Sequence, residues 1–196
     1  AGAQMVALPE MFLTGHDAKA LLHNPAFQRD VVTYLEALTA HCAHGPALAL
    51  GAPWVEGAKL HNAYLILQGG KIAQRVLQHS PARHSRFDAG PISGPYAVEG
   101  LRIGSPIGAD GWTGDVAETQ AETGAEFLLI PNAAPHQRGA MVRRLNHMVA
   151  RVIETELPLI SLNMVGGQDE AVFDGASFAL NPGGKLALHL PAFDRA

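Results

Sequence analysis

The residues able to do chemistry are few and scattered. Glu10 follows Leu8-Pro9 at the end of a short apolar run, so its carboxylate lies just past a strand terminus, a setting that suits a general base beside a cleft. The same placement would equally serve a turn cap or a partner for a surface arginine. Cys42, the single cysteine, is flanked by His41 and His44 and could form a thiol-imidazole pair or part of a metal site. Three such residues in one turn without distant partners favour a half-buried thiol at a helix terminus, so no metal site is assigned. Ser80, Ser105 and Ser177 offer hydroxyls, but none has a visible histidine-carboxylate arrangement to activate it. His136 and His147 read as surface or helix-face residues, and the total of ten histidines has no physical account.

The elements that must position these groups follow from periodicity. Gln4 to Leu8 reads as a buried strand closed by Pro9. Asn24-Pro25 supplies a helix start, with Phe27, Val31, Tyr34, Leu35 and Leu38 at helical spacing as far as about His41. Ala47 to Ala52 and Tyr64 to Leu67 read as strands, the second turning through Gly69-Gly70 into a partner that starts near Lys71. Residues 79–95, with Pro81, Pro91, Pro95, Gly90 and Gly94, have no periodicity and form a long loop of the kind that often carries function. Leu101 to Ile107 reads as a strand, Thr113 to Thr123 as a helix stopped by Gly124, and Glu126 to Ile130 as the next strand. Gly139 to Glu156 places Met141, Leu145, Met148, Val149 and Val152 on one helical stripe. Leu159 to Leu162 and Val172-Phe173 follow as strands, and Asn181-Pro182-Gly183-Gly184 turns into a last strand at Leu186 to Leu188. Helices alternating with strands and hairpins imply mixed sheets covered by helices, an α/β fold.

Bulk properties set the limits. At 196 residues, 47% hydrophobic and 16% charged, the chain can bury a core of single-domain size, and residues 1–196 are expected to form one domain. A formal charge of −4 gives no electrostatic reason to expect nucleic acid or an anionic membrane as partner. No apolar run approaches the roughly 20 residues a membrane helix needs, and one cysteine allows no internal disulfide, which fits a cytoplasmic setting. The start Ala1-Gly2-Ala3 carries neither an initiator Met nor a signal peptide, and reads as an excerpt of a longer protein.

Three segments point to a family. Leu8-Pro9-Glu10-Met11-Phe12-Leu13-Thr14-Gly15 resembles the stretch around the catalytic glutamate of nitrilase-superfamily glutaminases. Val165-Gly166-Gly167-Gln168-Asp169-Glu170, continuing Val172-Phe173-Asp174-Gly175 and Ser177-Phe178, closely resembles a block of the glutaminase domain of glutamine-dependent NAD synthetases. Gly104 to Val116 is similar to that family's Gly-x-Pro-Ile-Cys-Glu-Asp-x-Trp, and Pro131-Asn132-Ala133-Ala134-Pro135 follows at the family's distance. The resemblance implies a nitrilase-like four-layer α-β-β-α sandwich with mixed sheets, with a first strand and helix and a last strand lying outside these residues. It implies ammonia release from glutamine, no cofactor in this domain, an ATP-dependent NAD synthetase domain or subunit as partner, and a homo-oligomer.

The family's chemistry uses a thiolate to attack the amide carbon, a glutamate to move the proton and a lysine to stabilise the oxyanion. By resemblance Glu10 retains the glutamate, but Gly108 stands at the nucleophile position, Ala109 follows where the family has a glutamate, and Gln78 stands at the lysine. Ala134 replaces a substrate-contacting serine, and Ala140 a Lys or Arg after the glycine. Asp110, Trp112, Asn132, Gln168, Asp169 and Asp174 keep their places; Gln168 and Asp169 belong to the substrate pocket, while buried polar groups of this kind can also serve the fold. These absences imply a degenerate glutaminase domain with a structural or regulatory role. The alternatives are an active carbon-nitrogen hydrolase of altered chemistry that uses Glu10, and a pure interaction module.

Overall fold

The structure is a computed structural model that describes residues 2–16 and 18–194, with Lys19 described through its backbone alone. Ala1 and Arg195-Ala196, the ends of the expected domain, lie outside the described residues.

Two mixed sheets lie face to face. The first has the order β1 (Met5–Ala7), β2 (Ala47–Glu56), β3 (Lys59–Gln68) and β4 (Lys71–Leu77), with β1 parallel to β2 and the other pairs antiparallel. The second comprises β5 (Tyr96–Val98), β6 (Leu101–Gly104), β7 (Phe127–Asn132), β8 (Leu159–Asn163), β11 (Phe178–Leu180) and β12 (Leu186–His189), in the order β12-β11-β8-β7-β6-β5. Its centre, β6-β7-β8, is parallel and its flanks are antiparallel. Between β8 and β11 in sequence, β9 (Val165–Gln168) and β10 (Ala171–Asp174) form a separate antiparallel hairpin.

The helices close the stack. α1 (Pro25–His41) is started by Asn24, whose side-chain oxygen accepts from the Ala26 amide at 2.9 Å, with Pro25 in the first turn where no N–H is required. Its Val31 and Leu35 pack on Leu50, Ala52, Ala63 and Leu65, the outer face of the first sheet. α2 (Gly114–Glu122) and α3 (Ala140–Thr155) cover the other sheet, with Ala117, Met148 and Val152 against Leu128, Ile130, Leu159 and Phe178. Between the sheets lie Ala49, Tyr64, Ile66, Val76, Tyr96, Ile103, Ile107 and Leu129. Each fully buried large apolar side chain here contributes about 1.5–3 kcal/mol relative to exposure. The layers are therefore α-β-β-α.

Several elements depart from the periodicity. The first strand stops at Ala7, two residues before Pro9, which has no N–H to offer, and Glu10, expected just past the strand end, opens the turn that follows. β2 and β3 are each ten residues, longer than the apolar runs suggest, and Pro53 sits inside β2 opposite Asn62. That proline is tolerated because β1 pairs β2 from Ala47 to Ala49 and residues 9–13 bond its backbone at Gly51, so at Pro53 the one strand alongside is β3. The strand expected to reach Ile107 ends at Gly104, and the chain passes through Pro106 into a short 3-10 turn at Gly108–Trp112. Directly after the loop the chain forms β5, a three-residue strand too short to show a pattern.

Candidate active site

Glu10 is carried across the first sheet by a close backbone approach. A Cβ on Gly51 of β2 would lie 2.1 Å from the Met11 nitrogen, so this crossing requires glycine. The Gly51 amide donates to Pro9 O at 3.1 Å and its carbonyl accepts from the Leu13 amide at 3.1 Å. Met11 takes a φ of 52° to complete the turn. The Glu10 side chain is buried, and neither alternative role for it, turn cap or partner of a surface arginine, is what its bonds show. Oε1 accepts from Asn62 Nδ2 at 2.7 Å and Oε2 from the Ala133 amide at 2.8 Å.

Gln78 extends this chain of contacts. It follows the last residue of β4, and its Oε1 accepts from the same Asn62 Nδ2 at 3.2 Å while its Nε2 donates to Ile107 O at 3.0 Å. A continuous network thus runs from the residue before Gly108 through Gln78 and Asn62 to Glu10, and it contains no cation. Asp110 fixes the spacing: its carboxylate accepts from the His79 and Ser80 amides at 2.9 and 2.7 Å, tying the exit of β4 to the 3-10 turn that holds Gly108.

Both carboxyls are held toward their protonated forms. Burial pushes Glu10 up from its ordinary value, opposed by the Ala133 amide and Asn62 and reinforced by the charge of Asp110. Burial also raises Asp110, against the lowering effect of the His79 and Ser80 amides. No lysine or arginine is bonded to either among the described residues. Glu10 is thus short of the cation that would keep it an anionic base.

Glu10, Gln78, Gly108, Ala109, Ala134 and Ala140 all line one cavity of about 700 Å³, closed on one side by Ala82, His84, Ser85, Arg86 and Phe87 of the long loop. That loop is pinned at its ends. Asp88 Oδ2 accepts from the Leu60 amide at 2.9 Å, His61 Nδ1 donates to Asp88 O at 2.9 Å, and His79 Nδ1 donates to Gly90 O at 2.8 Å. Two of the ten histidines thereby acquire a structural role. Gln168 and Asp169 stand in an adjoining cavity of about 340 Å³, which shares His16, Pro135 and Gln137 with the first. Gln168 Oε1 accepts there from the His16 amide at 2.9 Å, and Asp169 sits in the tight turn of the β9-β10 hairpin with a φ of 50°.

The remaining candidates are placed elsewhere. Cys42 caps α1 outside the cavity, and among the described residues no group of three His, Cys, Asp or Glu side chains is arranged to hold a metal. Ser105 is fully buried against the Tyr96 hydroxyl at 3.0 Å, and Ser177 accepts from the Asn163 amide at 3.0 Å. Trp112 stacks on His147 with ring centroids 5.3 Å apart. Asn132 Nδ2 donates to Ile130 O at 3.0 Å, and Asp174 accepts from Asn163, Arg144 and His136, so both hold strands and hairpin together.

Sequence reasoning passed over Asn62 and Arg144. A signal existed in each case: Asn62 interrupts the apolar strand Leu60 to Leu67, and Arg144 falls on the buried stripe of α3.

The chain belongs to the carbon-nitrogen hydrolase family, whose sequence pattern matches residues 1–195. It is 46% identical over 202 residues to the glutamine-dependent NAD(+) synthetase of Rhodobacter capsulatus, covering 100% of this chain and 37% of that protein. It is 30% identical over 200 residues to the protein of the same name from Xylella fastidiosa strain Temecula1, covering 98% and 36%. Among solved structures it matches the glutamine-dependent NAD+ synthetase of Acinetobacter baumannii with a TM-score of 0.88 at 22% identity, over 99% of this chain and 38% of that one. An amidase of the nitrilase superfamily from Nesterenkonia AN1 matches with a TM-score of 0.81 at 20% identity, over 97% and 74%. Those two structures share its nitrilase-like fold. The chain spans 36–37% of the length of these curated relatives. No helix among the described residues is long and apolar enough to cross a membrane.

Proposed function

We propose that this chain is a glutaminase-type domain that no longer hydrolyses glutamine and serves a structural or regulatory role, assembling with an ATP-dependent NAD synthetase domain or subunit and with further copies of itself. The family's attack on an amide requires a nucleophile, a base and a cation in one cavity. The observation that carries the proposal is the state of that cavity. Its nucleophile position is Gly108, and its lysine position is a neutral Gln78 already bonded to Asn62 and Ile107. Glu10 survives, buried and without a bonded cation. Among the described residues the one hydroxyl side chain lining the cavity is Ser85, whose Oγ accepts from the Phe87 amide at 3.1 Å, while Ser105 and Ser177 lie outside the lining and are engaged with Tyr96 and Asn163. The length and names of the relatives support a synthetase as partner.

The direct test is covalent trapping. Incubation of the protein with an electrophilic diazoketone analogue of glutamine, followed by intact-mass and peptide mass spectrometry, is expected to give no adduct on any residue lining the cavity. An adduct on a cavity residue, lost in Glu10→Gln, contradicts the proposal and establishes an altered hydrolase.

A further inference from the structure

One wall of the cavity is bonded differently from the others. Most of the lining is tied to separate elements: Glu10 to Asn62 and the Ala133 amide, Gln78 to Ile107 O, the Ala134 amide to Asn163, and Arg144 of α3 to Asp174. The side formed by Ala82, His84, Ser85, Arg86 and Phe87 has no such tie. The Ser85 amide donates to Ala82 O at 2.7 Å and the Phe87 amide to Ser85 Oγ at 3.1 Å, both within the segment. Among the described residues no hydrogen bond or ion pair joins residues 81–87 to the rest of the chain.

The two ends are fixed. The Ser80 amide donates to Asp110 Oδ1 at 2.7 Å. Asp88 and Leu60 exchange two bonds, from the Asp88 amide to Leu60 O at 2.7 Å and from the Leu60 amide to Asp88 Oδ2 at 2.9 Å. Between these anchors Ala82 to Arg86 are exposed even though four of the five line the cavity. Phe87 holds the segment down, its half-buried ring packed on Met11, Leu22 and Leu60. Lifting such a stretch breaks no bond to the body of the protein and exposes little apolar surface, which places it among the first parts of a fold to open locally. The walls built from Asn62, Gln78 and the Ala133 amide cannot move without breaking buried hydrogen bonds.

We propose that residues 81–87 form a flap over the cavity, swinging on Ser80 and Asp88 with Phe87 as its latch, and that its opening admits ligands too bulky for the closed mouth. This motion does not depend on whether glutamine is turned over, so it stands or falls apart from the loss of hydrolysis.

A thiol reporter inside the cavity tests the gate. Ala109→Cys, in a Cys42→Ser background, places a single thiol among the lining residues. Its reaction with fluorescein maleimide should quicken about tenfold when Phe87→Ala is added. Ser85→Ala, which removes the acceptor of the Phe87 amide, should quicken it about two- to tenfold. Ser85 is exposed, so this second variant keeps the fold even where the first does not. Methyl methanethiosulfonate, a much smaller reagent, should be accelerated less than the maleimide; equal acceleration of both would mean a general loosening of the cavity and contradict a flap. Trypsin acting on the native protein gives an independent readout. Cleavage after Arg83 and Arg86 should accelerate in the same two variants, and cleavage after Lys185, in the β11-β12 turn, should not. Maleimide labelling unchanged in both variants, or cleavage after Arg83 and Arg86 no faster than in the parent protein, overturns the proposal.

Discussion

The carboxyl of Glu10 fills the volume that a side chain on residue 108 would need: a Cβ built on Gly108 would lie 2.6 Å from Oε2 and 2.8 Å from Oε1. Gly108 also has a φ of 49°, where a Cβ itself costs about 1–2 kcal/mol. The two residues therefore depend on each other, and the glycine is part of how the buried glutamate is accommodated.

Gly108→Ala is accordingly expected to destabilise the protein by about 2–4 kcal/mol in urea denaturation, combining backbone strain with displacement of Glu10 from Asn62 and Ala133. In a Glu10→Ala background the same substitution should cost only the backbone part. A double-mutant cycle whose coupling stays within about 0.5 kcal/mol of zero contradicts the contact.

Ionisation of Glu10 should weaken the fold. Burial raises its folded pKa above the ordinary 4.5, so the native state keeps a proton that the unfolded chain releases. Its stabilising contribution is fully present below the unfolded value and is lost as pH rises through the raised folded one. Asp110 shifts in the same direction, so the informative quantity is the wild-type stability minus that of Glu10→Gln. That difference should fall as pH increases from about 4 to 7. A flat or rising difference in denaturation across this range shows that Glu10 is not held protonated.

Asn62 bridges Glu10 and Gln78 through one nitrogen, so its loss leaves both side chains without that donor. Asn62→Ala should destabilise by about 2–3 kcal/mol, and Gln78→Ala, which frees Ile107 O and one contact of Asn62, by about 1–2 kcal/mol. Urea midpoints measure the ordering; equal or reversed effects would mean that Asn62 is not the junction of the network.

Much of this is legible in the sequence. The alternation of strands and helices, the Asn24-Pro25 helix start and the Gly69-Gly70 turn follow from local rules that tertiary packing then respected. Glu10, Gln78, Gly108, Ala109, Ala134 and Ala140 were placed by resemblance, and one cavity gathers them. What stayed hidden was non-local. The length of β2 comes from its pairing with β3 as far as Glu56, which Pro53 within it conceals. The role of Gly51 depends on a backbone crossing it from residues 9–13. The bond from Ala133 to Glu10 spans 123 positions, and an amide leaves no mark in side-chain types.

Asp174 is the carboxylate nearest to balancing Arg144, and both side chains are 2% exposed. Asp174→Asn should therefore leave an uncompensated buried charge and lower stability by about 3–5 kcal/mol, well above the cost of an exposed pair. A drop of under about 1 kcal/mol in urea denaturation would show that Arg144 has another source of compensation.

The central claim is that the cavity has lost glutamine hydrolysis while the fold persists. Ammonia release from L-glutamine by the protein, compared with Glu10→Gln under identical conditions, measures it most directly. The two should be indistinguishable from each other and from the rate without protein. Wild-type turnover above that background, abolished by Glu10→Gln, would contradict the account.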